Sequence, residues 1–137
     1  MIYFKRALYD ELAAHSRRRL PEEACGLIAG TVNERGEKTV LRVFFLENID
    51  HSPTHFSVDP TEHLQAVLDI RQAGLVPLGS WHSHPDAPAR MSPEDIRLAY
   101  DPHALYMILS LAEEPPVLRV FSVAAGTARE EELVWVK

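Results

Sequence analysis

Two histidines one residue apart, His82 and His84, stand ahead of an aspartate, Asp95, with ten residues between His84 and Asp95. In an extended strand, side chains two apart leave the same face, so both imidazoles can meet one metal ion while Ser83 points away. Asp95 closes Ser92-Pro93-Glu94-Asp95, which reads as the first turn of a helix. The turn is reached through Asp86–Met91, a segment that Pro85 and Pro88 mark as a loop and that gives the chain room to fold a carboxylate back. Two nitrogens and one oxygen leave the fourth position of a tetrahedral zinc ion open. That is the mark of a catalytic site, because water bound there has its pKa lowered to about 7. Hydrolysis by such a water needs a base to take its proton and pass it to the leaving group. Glu22 and Glu23, just ahead of the apolar run Cys25–Gly30, are both candidates.

Each part of this pattern also has an ordinary reading. Ser92-Pro93-Glu94-Asp95 is a sound helix N-terminus, with Ser92 as the cap, Pro93 at the first helical position and Asp95 favoured by the dipole. A lone His-x-His is common, and Glu23 alone is one more acidic residue between a helix and a strand. The combination carries the metal expectation. The other histidines add no ligand pair: His15 and His63 fall in helices, His51 and His55 in a polar loop, and His103 beside Pro102. Surface positions or local partners are expected for them. Trp81 is expected to pack beside the site.

The chain has 137 residues, a size that buries a hydrophobic core as one domain spanning 1–137, and 46% hydrophobic with 25% charged residues is ordinary for a globular protein. A net charge of −6 gives no positive field for phosphate backbones or anionic lipid, so nucleic acid is excluded as a partner class. Arg17, Arg18 and Arg19 close a helical segment, where cations suit the dipole. Glu130, Glu131 and Glu132 read as a solvated stretch. The single cysteine, Cys25, excludes an internal disulfide and a multi-cysteine zinc cage; opening an apolar run, it reads as a small buried hydrophobe and not a nucleophile. No run approaches the roughly 18 apolar residues that span a bilayer, and no leader-like start is seen, so no membrane role and a cytoplasmic location are expected.

The elements that must hold these residues follow from pattern. Ala7–Leu20, free of Pro and Gly, suits a helix that Pro21 ends. Cys25–Gly30 and Val40–Leu46 read as strands paired in a hairpin through the turn residues Asn33–Gly36. Asp59, Pro60 and Glu62 start a helix over Thr61–Ala73, with Leu64, Val67 and Leu68 marking its packed face and Gly74 stopping it. Val76–Trp81 is a strand that delivers the histidines. Leu105–Leu111 and Val117–Val123 read as strands buried on both faces, and Leu133–Val136 as a last short strand. The expected class is α/β: a mixed sheet flanked by helices.

Glu23-Ala24-Cys25-Gly26, His82-Ser83-His84-Pro85, six further residues and Ser92-Pro93-Glu94-Asp95 together resemble, in order and spacing, the JAMM (MPN-plus) metallopeptidases. The resemblance implies the single-domain MPN fold, of the cytidine-deaminase-like kind, with a mixed curved sheet flanked by helices, over the full chain. It implies one zinc ion per chain on His82, His84 and Asp95, with Glu23 rather than Glu22 as the base and Ser92 as the hydrogen-bond donor to the oxyanion. The short chain, with Phe56–Pro60 before the second helix and Pro85–Arg90 after the histidines, is similar to the bacterial stand-alone branch, which implies a ubiquitin-like or sulfur-carrier protein as substrate. A homodimer is left open. A non-catalytic scaffold of the same fold, and a peptidase for small amides or for cell-wall or phage-tail peptides, are the alternatives.

Overall fold

A computed structural model describes residues 1–137. The chain runs β1 (Ile2–Lys5), α1 (Arg6–Arg19), β2 (Cys25–Val32), β3 (Lys38–Leu46), α2 (Pro60–Gln72), β4 (Val76–His84), α3 (Pro93–Arg97), β5 (Leu105–Ser110), β6 (Val117–Ala124), β7 (Thr127–Glu131) and β8 (Leu133–Val136). All eight strands form one sheet in the order β7-β6-β5-β4-β2-β3-β1-β8. The β1–β3, β1–β8 and β4–β5 pairs are parallel and the rest antiparallel, so the sheet is mixed as expected. Strands β7 and β8 lie at opposite edges of that order yet are separated in sequence by Glu132 alone, whose carbonyl accepts the Ile2 N–H at 2.9 Å. Only a strongly curved, nearly closed sheet allows this. No helix is long and apolar enough to cross a membrane.

The β2–β3 hairpin turns on Asn33, whose side-chain oxygen accepts the N–H groups of Arg35 and Glu37 (both 2.9 Å), with Gly36 in the left-handed region at φ 79°. Asp59 caps α2 by accepting the Glu62 N–H at 3.2 Å, and Gly74 follows its end at φ 74°.

Two cores lie on the two faces of the sheet. Under α1, Phe4, Leu12, Trp81, Met107 and Leu109 are buried together. Under α2, Cys25, Leu27, Ala29 and Leu46 pack on Ala66 and Ile70. A smaller cluster of Ala89, Met91, Ile108, Phe121 and Val123 supports Ile96 of α3. The register of β4 on β2 shifts between Ile28 and Ala29, opposite Gly79 and Pro77, and this resets the strand's alternation. Beyond it, Trp81 falls on the α1 face and His82 on the other, beside Cys25.

Four expectations change. Trp81 does not pack beside the histidines; it lies on the opposite face, where its indole N–H donates to the Phe44 carbonyl at 3.0 Å. Helix α2 buries Ala66 and Ile70 with Val67 half-buried, whereas Leu64 and Leu68 are exposed, because the small Ala66 side chain lets the helix sit close to the sheet. Strand β6 is buried on both faces only in part: Leu118 and Val120 enter one core and Phe121 and Val123 another, whereas Arg119 and Ala124 are exposed. Glu130 and Glu131 belong to β7, an edge strand, and only Glu132 lies outside it.

Candidate active site

The site is built at the C-terminal end of β4, which is paired on both sides, with β2 and with β5. Side chains there inherit a position fixed by two ladders of main-chain hydrogen bonds. His82 and His84 are 4% and 6% exposed and share one face. Their Nε2 atoms stand 3.1 Å apart, and each lies 3.2 Å from Oδ2 of Asp95. Tetrahedral zinc with nitrogen and oxygen ligands at about 2.0–2.1 Å separates those ligands by about 3.3 Å. The three atoms thus already form one face of a metal-sized tetrahedron, and these residues are the chain's group able to hold a metal ion.

Neighbouring groups fix each ligand. His84 Nδ1–H donates to the Pro88 carbonyl at 2.8 Å, which selects the tautomer with Nε2 turned to the site. The loop carrying Pro88 is tied down by Ser110, whose hydroxyl donates to the Ala87 carbonyl at 2.6 Å. The Phe56 ring covers His82 at 4.9 Å between centroids. Asp95 and Ser92 form a reciprocal pair: Ser92 N–H donates to Oδ2 at 2.9 Å, and Asp95 N–H donates to Ser92 Oγ at 3.0 Å. Ser92 therefore uses its oxygen for the cap, and its hydroxyl hydrogen is committed to no protein group.

The electrostatics favour positive charge at this point. Burial works against ionisation of Asp95, but hydrogen bonds from His82 and His84 outweigh it and hold the carboxyl well below the usual carboxylate range. Burial also opposes a charged His84, and the hydrogen bonds to Asp95 and to the Pro88 carbonyl overcome it, raising its pKa.

Glu23 and Glu22 occupy different environments. Glu22 is half-buried and paired, 3.2 Å from His51 Nδ1 and 3.8 Å from Arg19. Glu23 is 4% exposed, and its Oε1 has no hydrogen-bond partner. Burial, with the charges of Asp95 and Glu94 adding to it and His84 opposing, pushes its pKa up to about 8. Its position comes from main-chain ties: Glu23 N–H donates to the Ser52 carbonyl at 2.8 Å, while the next residue, Ala24, bonds Ser83 through N–H to Oγ (2.8 Å) and through its carbonyl to the Ser83 N–H (2.9 Å). This continues the β2–β4 ladder, in which Cys25 faces His82, and brings Glu23 toward His84.

A cleft of about 360 Å³ opens beside His82 and Asp95, with Phe56, Leu46 and Met91 among its walls and the exposed Leu98 and Tyr100 at its rim. His63 also lines it, so this histidine borders the site without joining the ligand set. His15 stacks on Phe45 at 4.3 Å, and His51 and His55 pair with acidic neighbours. Cys25 is fully buried, its thiol pushed up to about 12 by burial, which suits a core residue. Asn48 and Ser110 belong to the site's surroundings and carry no signal in the sequence pattern, whereas Phe56 opens the Phe56–Pro60 segment of the family resemblance.

Residues 5–124 match the family model described as prokaryotic homologs of the JAB domain. The chain is 33% identical over 125 residues to a CysO-cysteine peptidase of Mycobacterium tuberculosis, covering 90% of this chain and 84% of that protein. It is 39% identical over 100 residues to a protein of Thermus thermophilus named probable TtuB-protein conjugate cleaving protease, covering 72% of this chain and 64% of that one. Among solved structures it is similar to protein DSY2949 of Desulfitobacterium hafniense, with 46% identity, a TM-score of 0.91 and coverage of 100% and 94% of the two chains.

Proposed function

The chain belongs to the family of prokaryotic JAB-domain proteins, and from that premise we propose that it is a zinc-dependent peptidase acting at the C-terminal tail of a ubiquitin-like or sulfur-carrier protein. One zinc ion per chain is held by His82, His84 and Asp95. The observation that carries the reading is the triangle of ligand atoms at 3.1–3.2 Å with a buried, unpartnered carboxylate beside it. A structural metal site has no use for such a carboxylate, whereas hydrolysis does. The name of the Thermus relative, which describes cleavage of protein conjugates, supports an amide or isopeptide bond at a protein tail.

When bound, zinc supplies Lewis acidity that makes water a nucleophile near neutral pH. Glu23 takes the proton of the attacking water on its free oxygen and returns it to the leaving amine. Its raised pKa suits both halves of that exchange, because a base near the working pH both accepts and gives up a proton readily. Ser92 donates its uncommitted hydroxyl hydrogen to the oxygen of the attacked carbonyl as negative charge develops there. Pro88 and Ser92, through their main-chain groups, keep His84 and Asp95 aimed, and Leu98 and Tyr100 offer an apolar rim to an extended tail.

The test incubates the zinc-loaded protein with ubiquitin-like proteins carrying C-terminal extensions and reads the products by mass spectrometry. Glu23→Gln is expected to lower kcat by about 10²–10⁴-fold while zinc stays stoichiometric. Unchanged turnover in that variant would remove Glu23 as the base. A preparation that never saw chelator and holds no zinc would favour a scaffold, and failure on every extended protein with zinc bound would point to small peptides.

A further inference from the structure

We propose that Asn48 is a positioning residue for Glu23, a role that rests on the reading of Glu23 as the base. Glu23 Oε1 has no hydrogen-bond partner, so no protein group aims that oxygen. The placement of the carboxyl therefore depends on where the main chain of Glu23 lies, and besides Ser83, which ties the next residue, one side chain governs that. Asn48, two residues past the end of β3 and 3% exposed, donates through Nδ2 to the Glu23 carbonyl at 3.0 Å. The same Nδ2 reaches the carbonyls of His55 at 3.1 Å and Ser52 at 3.4 Å. Ser52 is the residue whose carbonyl accepts the Glu23 N–H at 2.8 Å. Both main-chain polar groups of Glu23 thus lead back to Asn48, one directly and one through Ser52.

The other end of the amide does a different job. Oδ1 accepts the N–H groups of Asp50 at 3.1 Å and Ser57 at 3.3 Å, shaping the loop that brings Phe56 over His82. Apart from the Phe56 ring over His82, the metal ligands take their positions from elsewhere: His82 and His84 ride on β4, and Asp95 on α3 with its own capping pair. Loss of the Nδ2 contacts should therefore separate turnover from metal binding, which a general loss of structure would not do. A displacement of the base by about 1 Å costs on the order of 10²-fold in rate.

Asn48→Asp is the discriminating variant, since it keeps both acceptor contacts of Oδ1 and sets an oxygen against the Glu23 carbonyl. Asn48→Ala and Asn48→Ser serve the same purpose if the aspartate variant does not fold. In the zinc-loaded protein, kcat is expected to fall about 100-fold, with KM and the zinc affinity measured by chelator competition each within about 3-fold of wild type. In the metal-free protein, amide hydrogen exchange at Glu23 should speed up about 10-fold or more while β4 amides keep their protection. In the Glu23→Gln background, adding Asn48→Asp should cost less than about 3-fold, because both changes act through one group.

Unchanged kcat in the folded variants, a zinc affinity that falls in step with kcat, or undisturbed exchange at Glu23 would each overturn the proposal. If Glu23→Gln itself turns over like wild type, the reading of Glu23 as base fails and this role fails with it. If Glu23→Gln is inactive and the Asn48 variants are not, the role of Asn48 alone is lost.

Discussion

A carboxyl kept away from water with one oxygen unpaired makes the protein sensitive to pH in a direction set by its proton. Glu23 has its pKa raised from 4.5 to about 8 in the folded, metal-free protein. The folded state therefore holds this proton across a range in which the unfolded chain has released it, so the contribution is full below pH 4.5 and is lost as pH rises through about 8. Its size is on the order of 3–5 kcal/mol at most. Thermal unfolding in chelator should show wild type losing stability from pH 5 to 8 more steeply than Glu23→Gln; parallel profiles would refute the buried neutral form. Ser92 invites a separate test, because its oxygen serves the cap and its hydrogen the proposed chemistry. Ser92→Gly should cost only a few tenths of a kcal/mol in stability, since glycine is a tolerated cap, yet lower kcat about 10²–10³-fold. A variant with near-normal kcat would confine Ser92 to capping. At this scale the sequence was informative where the rule is short-range: strand alternation gives His82 and His84, and the helix start gives Asp95. Nothing local separates Glu23 from Glu22, because burial of the one and the His51 contact of the other depend on a loop far along the chain. Asn48 and Ser110 escape notice for a similar reason, as their partners are main-chain atoms with no residue signature.

Among the elements, the loop between β4 and α3 is the one on which ligand geometry depends. Ser110 on β5 pairs in register with His84 and holds Ala87, so the neighbouring Pro88 carbonyl stays within reach of His84 Nδ1. Ser110→Ala should weaken zinc binding about 10–100-fold, as removal of such outer partners does, with little change in Tm of the metal-free protein. Equal affinity by chelator competition would show that the loop holds itself. Most strands and both long helices could be read from pattern, since β2, β4 and β5 are apolar runs ended by turn residues. The exceptions have physical causes. Strand β7, Thr-Ala-Arg-Glu-Glu, looks solvated because an edge strand is paired on one side and charged against further pairing. The side of Trp81 could not be read because the register shift in β4 breaks the count of alternating positions. The buried face of α2 was missed because small Ala66, not the larger Leu64 and Leu68, lies at its closest approach.

The whole molecule is a sheet whose two edges are joined by a single residue. Strand β8 lies parallel to β1, with Ile2 opposite Leu133 and Lys5 opposite Val136, and Trp135 meets the rings of Phe4 and Tyr9 at 5.8 and 5.5 Å. Removing Leu133–Lys137 should cost on the order of 3 kcal/mol or more and lower Tm well before it touches the metal ligands, since edge aromatics carry much of such a contact. An unchanged Tm would mean that β1 holds without its outer neighbour. The fold class was legible because strands and helices alternate in the pattern. The near closure was not, because it pairs residues from opposite ends of the chain, which local periodicity does not relate.

That pairing also bears on how the protein is made. During synthesis β1 and β3 are both made well before β8, so the outer edge of β1 stays bare until β8 follows. At about 5–20 residues per second the wait lasts on the order of 5–20 s, during which an unsatisfied strand edge is open to other nascent chains. A slow passage from β3 to β8 therefore lengthens the time in which this edge can pair wrongly, whatever the stability of the finished fold.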